Sequence, residues 1–367
     1  MGMQFLLIAA VALLSFANGA NDNFKGVATL WGAGRASYRR ALAWATVFTF
    51  LGSLAAARVA VGLAGKFNGA QLVGREISTQ MPFLAAVVLA SAATVLLASR
   101  LGLPVSTTHA LTGALIGAGV TAAGLVHVEF SVLTRTVLLP LLFSPLIALG
   151  LTLAAYPLLK KLAAGRDCVC VDQPEAVAVA PAGGASFSNQ AVVTAAPPSV
   201  RWAPAAECQT GAEAVRFSIS DTLHWLSGAA ISFARGLNDT PKIAAVLLML
   251  PFASAKMNFL LVALLMALGG LLGAARVAQT MSKRITPMAA PEAVGANLVS
   301  ATLVTLASGW ALPVSLTHIT SAGIFGIGLL RRREADWRRV RDILLSWVGT
   351  LPLSAALAVL FYRVLMH

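Results

Sequence analysis

The chain has 367 residues, of which 58% are hydrophobic and only 11% charged, and its mean hydropathy is +0.80. Soluble domains carry about 25% charged residues, so a single aqueous core is excluded and most of the surface has to face lipid. The formal net charge of +13 does not read as nucleic-acid binding, because the basic residues fall in short breaks between apolar runs, such as Arg35, Arg39 and Arg40 and the run Arg331, Arg332 and Arg333; membrane proteins mark their cytoplasmic loops in this way.

In chain order, apolar stretches fall at 3–33, 38–65, 79–99, 104–123, 132–160, 219–250, 256–280, 289–308, 313–330 and 341–364. Several reach the roughly 20 residues that a helix needs to span a bilayer. The first has no basic residue before it and runs into Asn18-Gly19-Ala20-Asn21-Asp22, a poor cleavage context, so it reads as a retained membrane segment rather than a signal peptide. The first and sixth stretches carry polar breaks in their middles, at Asn21-Asp22 and Asn238-Asp239. The third and fourth, and the eighth and ninth, are joined by very short connections; each pair is either two spans or one re-entrant hairpin. Residues 164–217, rich in Ala, Pro, Gly and Ser without a helical period, read as a flexible linker. It holds Cys168, Cys170 and Cys208. No histidine lies nearby and the CxxC spacing is missing, so these read as reduced thiols and not as a metal site.

The linker divides the chain into residues 1–163 and 218–367, and the two parts repeat one another. Ser15-Phe16-Ala17-Asn18-Gly19-Ala20-Asn21-Asp22-Asn23-Phe24-Lys25 aligns with Ser232-Phe233-Ala234-Arg235-Gly236-Leu237-Asn238-Asp239-Thr240-Pro241-Lys242. Further on, Leu103-Pro104-Val105-Ser106-Thr107-Thr108-His109 aligns with Leu312-Pro313-Val314-Ser315-Leu316-Thr317-His318. An odd number of crossings per half follows whether the close pairs span or re-enter, so the second half has to sit inverted. The predicted fold is an all-α polytopic membrane protein of two inverted-topology repeats, with broken helices and possible helical hairpins. With both termini outside, the inner loops collect Arg35, Arg39, Arg40, Lys160, Lys161, Arg166, Arg276, Lys283 and Arg284. The outer loops hold little beyond Lys66, Arg75, Arg135 and Lys256, which places the linker in the cytoplasm.

Asp22 and Asp239 interrupt apolar runs, and a carboxylate in a membrane is costly unless paired, ion-bound or hydrated. One such break reads equally well as a helix end capped by its own Asx side chain; repeated in both halves, it reads as the broken-helix site of a transporter. The stretch from Ser106 to Thr108 follows a proline and opens an apolar helix, an arrangement in which free N–H groups and hydroxyls together suit an oxyanion. Ser315 and Thr317 do the same in the second half, where Leu316 removes one hydroxyl. His109 and His318 are either pH-sensitive groups or neutral hydrogen-bonding spacers. No nucleophile–base pair or metal set appears, so the chain does not read as an enzyme, and the clustering of polar residues in two short belts does not read as an open channel.

These duplicated motifs resemble those of the inorganic phosphate transporter (PiT) family, over the whole chain except the linker. Gly19-Ala20-Asn21-Asp22 is similar to its G-A-N-D signature and Pro104 to His109 to its P-V-S-T-T-H signature. The resemblance implies phosphate symport with Na⁺ or H⁺ and a homodimer in the cell membrane. It also implies an anion site formed by Ser106, Thr107, Thr108, Ser315 and Thr317 with Asn21 and Asn238, and ion coupling at Asp22 and Asp239. Sulfate or another tetrahedral oxyanion stays open as the substrate. There is one departure. Where the family motif carries a second Asn three residues after the Asp, this chain carries Lys25 and Lys242. Residues three apart share a helix face, and an ammonium offers donors but no acceptor, so it cannot replace an amide oxygen around Na⁺. The lysines are therefore assigned to ion coupling, with H⁺ as the expected ion and no other cofactor.

Overall fold

The computed structural model describes residues 2–163, 168–172, 177–179, 192–194, 199–203, 215–249, 254–288, 290–330 and 335–367. Arg166, the arginine run at 331–333 and Cys208 lie outside them. The first half comprises α1 (Gly2–Asp22), α2 (Ala28–Gly32), α3 (Tyr38–Val59), the short α4 (Val61–Ala64) and α5 (Ala70–Ser78), α6 (Met81–Leu101), α7 (Thr107–Ala123), α8 (Phe130–Leu133) and α9 (Leu139–Ala163). Between the halves lie β1 (Cys168–Asp172), β2 (Val177–Val179), β3 (Val192–Thr194), β4 (Ser199–Ala203) and β5 (Val215–Ser218). The second half comprises α10 (Ile219–Leu247), α11 (Ala255–Gly273), α12 (Ala275–Lys283), α13 (Ala290–Gly309), α14 (Leu316–Leu330) and α15 (Trp337–Met366). Among the described residues, six helical stretches are long and apolar enough to cross a membrane.

The halves pack reciprocally. α1 lies against α11 while α10 lies against α3; α6 covers α1 and α13 covers α10; α15 packs on α7 and α9 on α14. Their directions are opposed. Leu7 and Ala10, early in α1, share one apolar cluster with Val246 and Leu247 at the end of α10. Beyond α2, Arg35 instead meets Asp221 in the first turn of α10, at 3.2 Å. The second repeat is inverted, as the odd number of crossings requires.

The same logic settles the close pairs. The α6–α7 hairpin buries Leu111, Ala114 and Ala118 in the cluster around Leu7, whereas α13–α14 buries Ala296, Ile324 and Ile327 in the cluster around Leu30 at the other end. Their tips touch. Thr108 Oγ1 donates to the Val314 carbonyl at 3.3 Å and Thr317 Oγ1 to the Val105 carbonyl at 2.7 Å. Two hairpins that approach from opposite faces and meet tip to tip each re-enter; neither passes through.

Close helix crossings make room for this. In lipid, apolar side chains gain nothing by leaving it for one another, so helices associate where small residues let backbones approach. Gly19 and Gly269 line the α1–α11 crossing and Gly52 and Gly236 the α3–α10 crossing, with the partner backbone where a Cβ would be. A Cβ on Gly236 would lie 2.5 Å from the Ser53 amide nitrogen. These are equivalent positions in the two repeats.

One expectation is corrected. The helix break occurs only in the first half: α1 stops at Asp22, a 3-10 turn spans Lys25–Val27, and α2 resumes at Ala28. α10 continues through Asn238 and Asp239 despite Pro241. The local reason is the residue after the lysine. Gly26 weakens the helix and brings its backbone close to Ser232, whereas Ile243 at the equivalent place is a better helix former and is buried. The described residues of the linker, which has no helical period, include short strands. β1 pairs antiparallel with both β4 and β5, and β2 with β3. Alternating Cys168-Val169-Cys170-Val171 suits a strand, but the partners of β1 in β4 lie 27 to 35 residues further on, beyond what a local composition reading detects.

Both hairpin tips turn through a left-handed residue two positions before the proline. In the first tip this is Gly102 (φ +70) and in the second Ala311 (φ 53). An L-residue pays about 1 kcal/mol or more for that conformation. Ala311→Gly is therefore expected to stabilise the protein by up to about 1 kcal/mol, read as a higher melting temperature in detergent; a lower one would show that the alanine methyl is needed for packing.

Candidate transport site

The break after Asp22 exposes backbone and side chains to the hairpin tips, and both repeats converge there. Lys25, 1% exposed, points its ammonium into a set of oxygens: Asn21 Oδ1 and the Val105 carbonyl at 2.9 Å each, Thr317 Oγ1 at 2.6 Å, and Asp22 Oδ1. Lys242, equally buried, repeats this about the pseudo-twofold axis. It donates to the Val314 carbonyl at 2.8 Å and Thr108 Oγ1 at 2.7 Å, with Asp239 Oδ1 at 3.4 Å. Each lysine thus holds the carbonyl of its own hairpin tip and the threonine of the opposite one.

The two carboxylates meet across the axis. Asn18 Nδ2 lies 2.9 Å from Asp22 Oδ2 and 3.2 Å from Asp239 Oδ2, so one amide nitrogen bridges them. Thr107 Oγ1 accepts from the same nitrogen at 3.0 Å and lies 3.3 Å from Asp22 Oδ2. Buried charge is costly unless paired and hydrogen-bonded. Here the partners come from α1, α7, α10 and α14, so the charges hold the two repeats to one another.

The other residues singled out in the sequence lie around this centre with different engagements. Asn21 and Asn238 hold the tips: Asn21 Nδ2 donates to Ser99 Oγ and the Leu103 carbonyl, both at 3.0 Å, and Asn238 Nδ2 to the Val314 carbonyl at 3.3 Å. Ser106 and Ser315 cap α7 and α14, accepting from the backbone N–H groups of His109 and His318 at 3.1 and 3.2 Å. The two imidazoles lie tilted at 44° against each other, centroids 4.4 Å apart, and His318 stacks on Trp347 at 3.9 Å. Nδ1 of His109 and Nε2 of His318 are buried with no hydrogen-bond partner. All thirteen residues converge on the repeat interface; the two serines face backbone, whereas the asparagines reach both the tips and the charged centre, Asn21 through Lys25 and Asn238 through Asp239 at 3.2 Å.

Sequence reasoning missed Arg235, Asn18, Ser99 and Ser308. Arg235 is fully buried, and its signal was present: an arginine inside an apolar run, where the first repeat carries Asn18. Ser99 and Ser308, equivalent positions at the ends of α6 and α13, bond Asn21 and Asn238; a lone serine near a helix end carries no distinguishing signal.

Asp22→Asn leaves the Lys25 ammonium without its counter-charge and is expected to cost about 3–5 kcal/mol, whereas adding Lys25→Met recovers part of that loss. Thermal unfolding of both variants in detergent checks this; equal melting temperatures for wild type and Asp22→Asn would mean the pair is not ionised in the folded protein.

Comparison with known proteins gives the family and the fold. The model of the phosphate transporter family matches residues 18–358. A Bacillus subtilis protein named as a probable low-affinity inorganic phosphate transporter is 24% identical over 374 residues, covering 99% of this chain and 97% of its own. A zebrafish (Danio rerio) protein named sodium-dependent phosphate transporter 1-A is 41% identical over 96 residues, 25% of this chain and 15% of its own. A solved structure titled "The sodium-dependent phosphate transporter" shares the fold, with a TM-score of 0.69 at 20% identity, over 100% of this chain and 99% of that one. The chain is a membrane protein that belongs to the phosphate transporter family.

Proposed function

We propose that this protein carries inorganic phosphate across the cell membrane by alternating access, as a symporter coupled to H⁺. The observation that supports H⁺ most is the seating of the two lysines. Around Lys25 Nζ stand two carbonyl-type oxygens, a hydroxyl and a carboxylate, the hard oxygen ligands that a Na⁺ would take. A tethered ammonium already fills that place in each repeat and repels a second cation. The sodium dependence in the names of the zebrafish relative and the solved structure belongs to those proteins.

The same pairs supply a coupling route. An entering phosphate competes for the ammonium groups and the hydroxyls of Thr107, Thr108 and Thr317. A lysine that turns to the anion leaves its aspartate as an unpaired buried carboxylate, which is costly until it takes up a proton. Anion entry and protonation then occur together, and both reverse on the other side. A tetrahedral oxyanion fits between paired hydroxyl-bearing tips, and sulfate is the competitor to test. The reading includes a homodimer, on family likeness alone, and a cytoplasmic linker, supported by the basic residues Arg35, Arg39, Arg40 and Arg276 at that end of the chain's loops.

In proteoliposomes, labelled phosphate uptake is expected to follow an imposed proton gradient and to ignore an imposed Na⁺ gradient. Lys25→Met or Lys242→Met should abolish the response to pH, and the Lys25→Asn, Lys242→Asn double variant should gain a response to Na⁺. Uptake that tracks Na⁺ in the wild type would overturn H⁺ coupling, and uptake of sulfate in preference to phosphate would reassign the substrate. Removing residues 173–198, between β1 and β4, should leave uptake in cells within about twofold of wild type, as expected for a tether outside the pathway. Loss of uptake with normal insertion would give the segment a function.

A further inference from the structure

Of the eleven aligned positions around the Asn-Asp pairs, four differ between the repeats, and one of these changes charge: Asn18 against Arg235. Arg235 is fully buried. Its guanidinium reaches across to the first repeat, donating from Nη1 to Asn23 Oδ1 at 3.1 Å and from Nη2 to Asn18 Oδ1 at 2.7 Å and the Asn18 carbonyl at 3.2 Å. Its Nε has no hydrogen-bond partner and stands 3.8 Å from Asp239 Oδ2. A buried charged donor left unused is expensive, and a membrane interior makes it more so.

Formal charge shows what the arginine adds. Asp22 and Asp239 are balanced by Lys25 and Lys242, and those four positions are the same in both repeats. Arg235 alone is unbalanced, and leaves the centre with a surplus of one positive charge. Its grip on Asn18 Oδ1 also turns Asn18 Nδ2 toward both carboxylates, so the guanidinium both orients the bridge and faces the point where the carboxylates meet.

We infer that Arg235 is the residue that makes this centre select an anion, supplying the net positive charge and, through Nε–H, a hydrogen bond to a tetrahedral oxyanion bound off-axis toward the second repeat. The inference rests on the phosphate-transport reading, but concerns binding and not the coupling ion. With both aspartates ionised the surplus of one charge is met by a singly charged oxyanion, and with one of them protonated, as in the coupling route proposed above, by the phosphate dianion. The two repeats are then symmetric as a scaffold and asymmetric as a binding site.

The test reads binding separately from transport. Inorganic phosphate should raise the melting temperature of the detergent-solubilised wild type, and Arg235→Gln should require about tenfold or more phosphate for the same shift. Arg235→Lys, which keeps the charge but loses the fork, should fall between them; a merely structural clamp on Asn18 and Asn23 would be lost equally in both. The exchange Asn18→Arg with Arg235→Asn moves the arginine to the equivalent place in the other repeat. It should bind phosphate within about threefold of wild type, and it keeps the test open where Arg235→Gln does not insert. Phosphate affinity of Arg235→Gln within twofold of wild type, equal loss in the Lys and Gln variants, or an inserted exchange variant that no longer binds phosphate would each overturn the inference. Normal phosphate binding in a wild type that moves no phosphate would sink the transport reading and leave this one standing.

Discussion

Five charged side chains closed inside an apolar bundle are the constraint on which the rest depends. Asp22, Lys25, Arg235, Asp239 and Lys242 are all at most 3% exposed, and none of them would be stable there alone. Each finds partners that the chain brings from far away, as when Lys25 reaches Thr317. The charges therefore act as the fastener between two repeats whose apolar surfaces would be equally content in lipid. In the proposed transport cycle this fastener opens as substrate enters, and the anion competes for the interactions that hold the repeats together.

The scaffold follows the symmetry of the repeats, and a few positions at its centre depart from it. The glycine crossings, the re-entrant tips and the lysine seats occur twice, once in each orientation. The break at Gly26, the hydroxyl of Thr107 opposite Leu316, and Arg235 opposite Asn18 occur once. A further difference lies on the path to the linker end. His224 Nε2 and Asn297 Nδ2 both meet Thr29 Oγ1 at 3.0 Å, and Asn297 also reaches Ser227 at 3.2 Å. The equivalent residues toward the opposite end, Leu7, Ala10, Val88 and Val246, belong to an apolar core. The two ends related by the inversion thus differ in polarity.

Packing explains why the hairpins stop where they do. Ser106 and Ser315 satisfy the first backbone donors of α7 and α14, and Asn21 takes the Val105 amide at 3.1 Å, so the polar backbone of each tip is matched inside the protein. Irregular backbone at membrane depth is tolerated only with such matching. Trp347, from α15, completes it by donating to the Pro104 carbonyl at 3.2 Å.

By itself the sequence determined the membrane class, the duplication, the inversion and most of the central residues, because each leaves a local mark. Apolar length reports a span, an odd number of segments reports inversion, and an aspartate inside an apolar run is too costly to be incidental. Tertiary structure alone decided whether the close pairs span or re-enter, since a tip is recognised only by what it meets. It also decided that α10 stays continuous where α1 breaks, and that each lysine reaches the threonine of the opposite tip, because a side chain's partner depends on elements up to hundreds of residues away. Arg235 marks the boundary between the two: its charge was visible in the sequence, but its place against Asn18 and Asn23 of the other repeat exists only once the inverted repeats have closed upon each other.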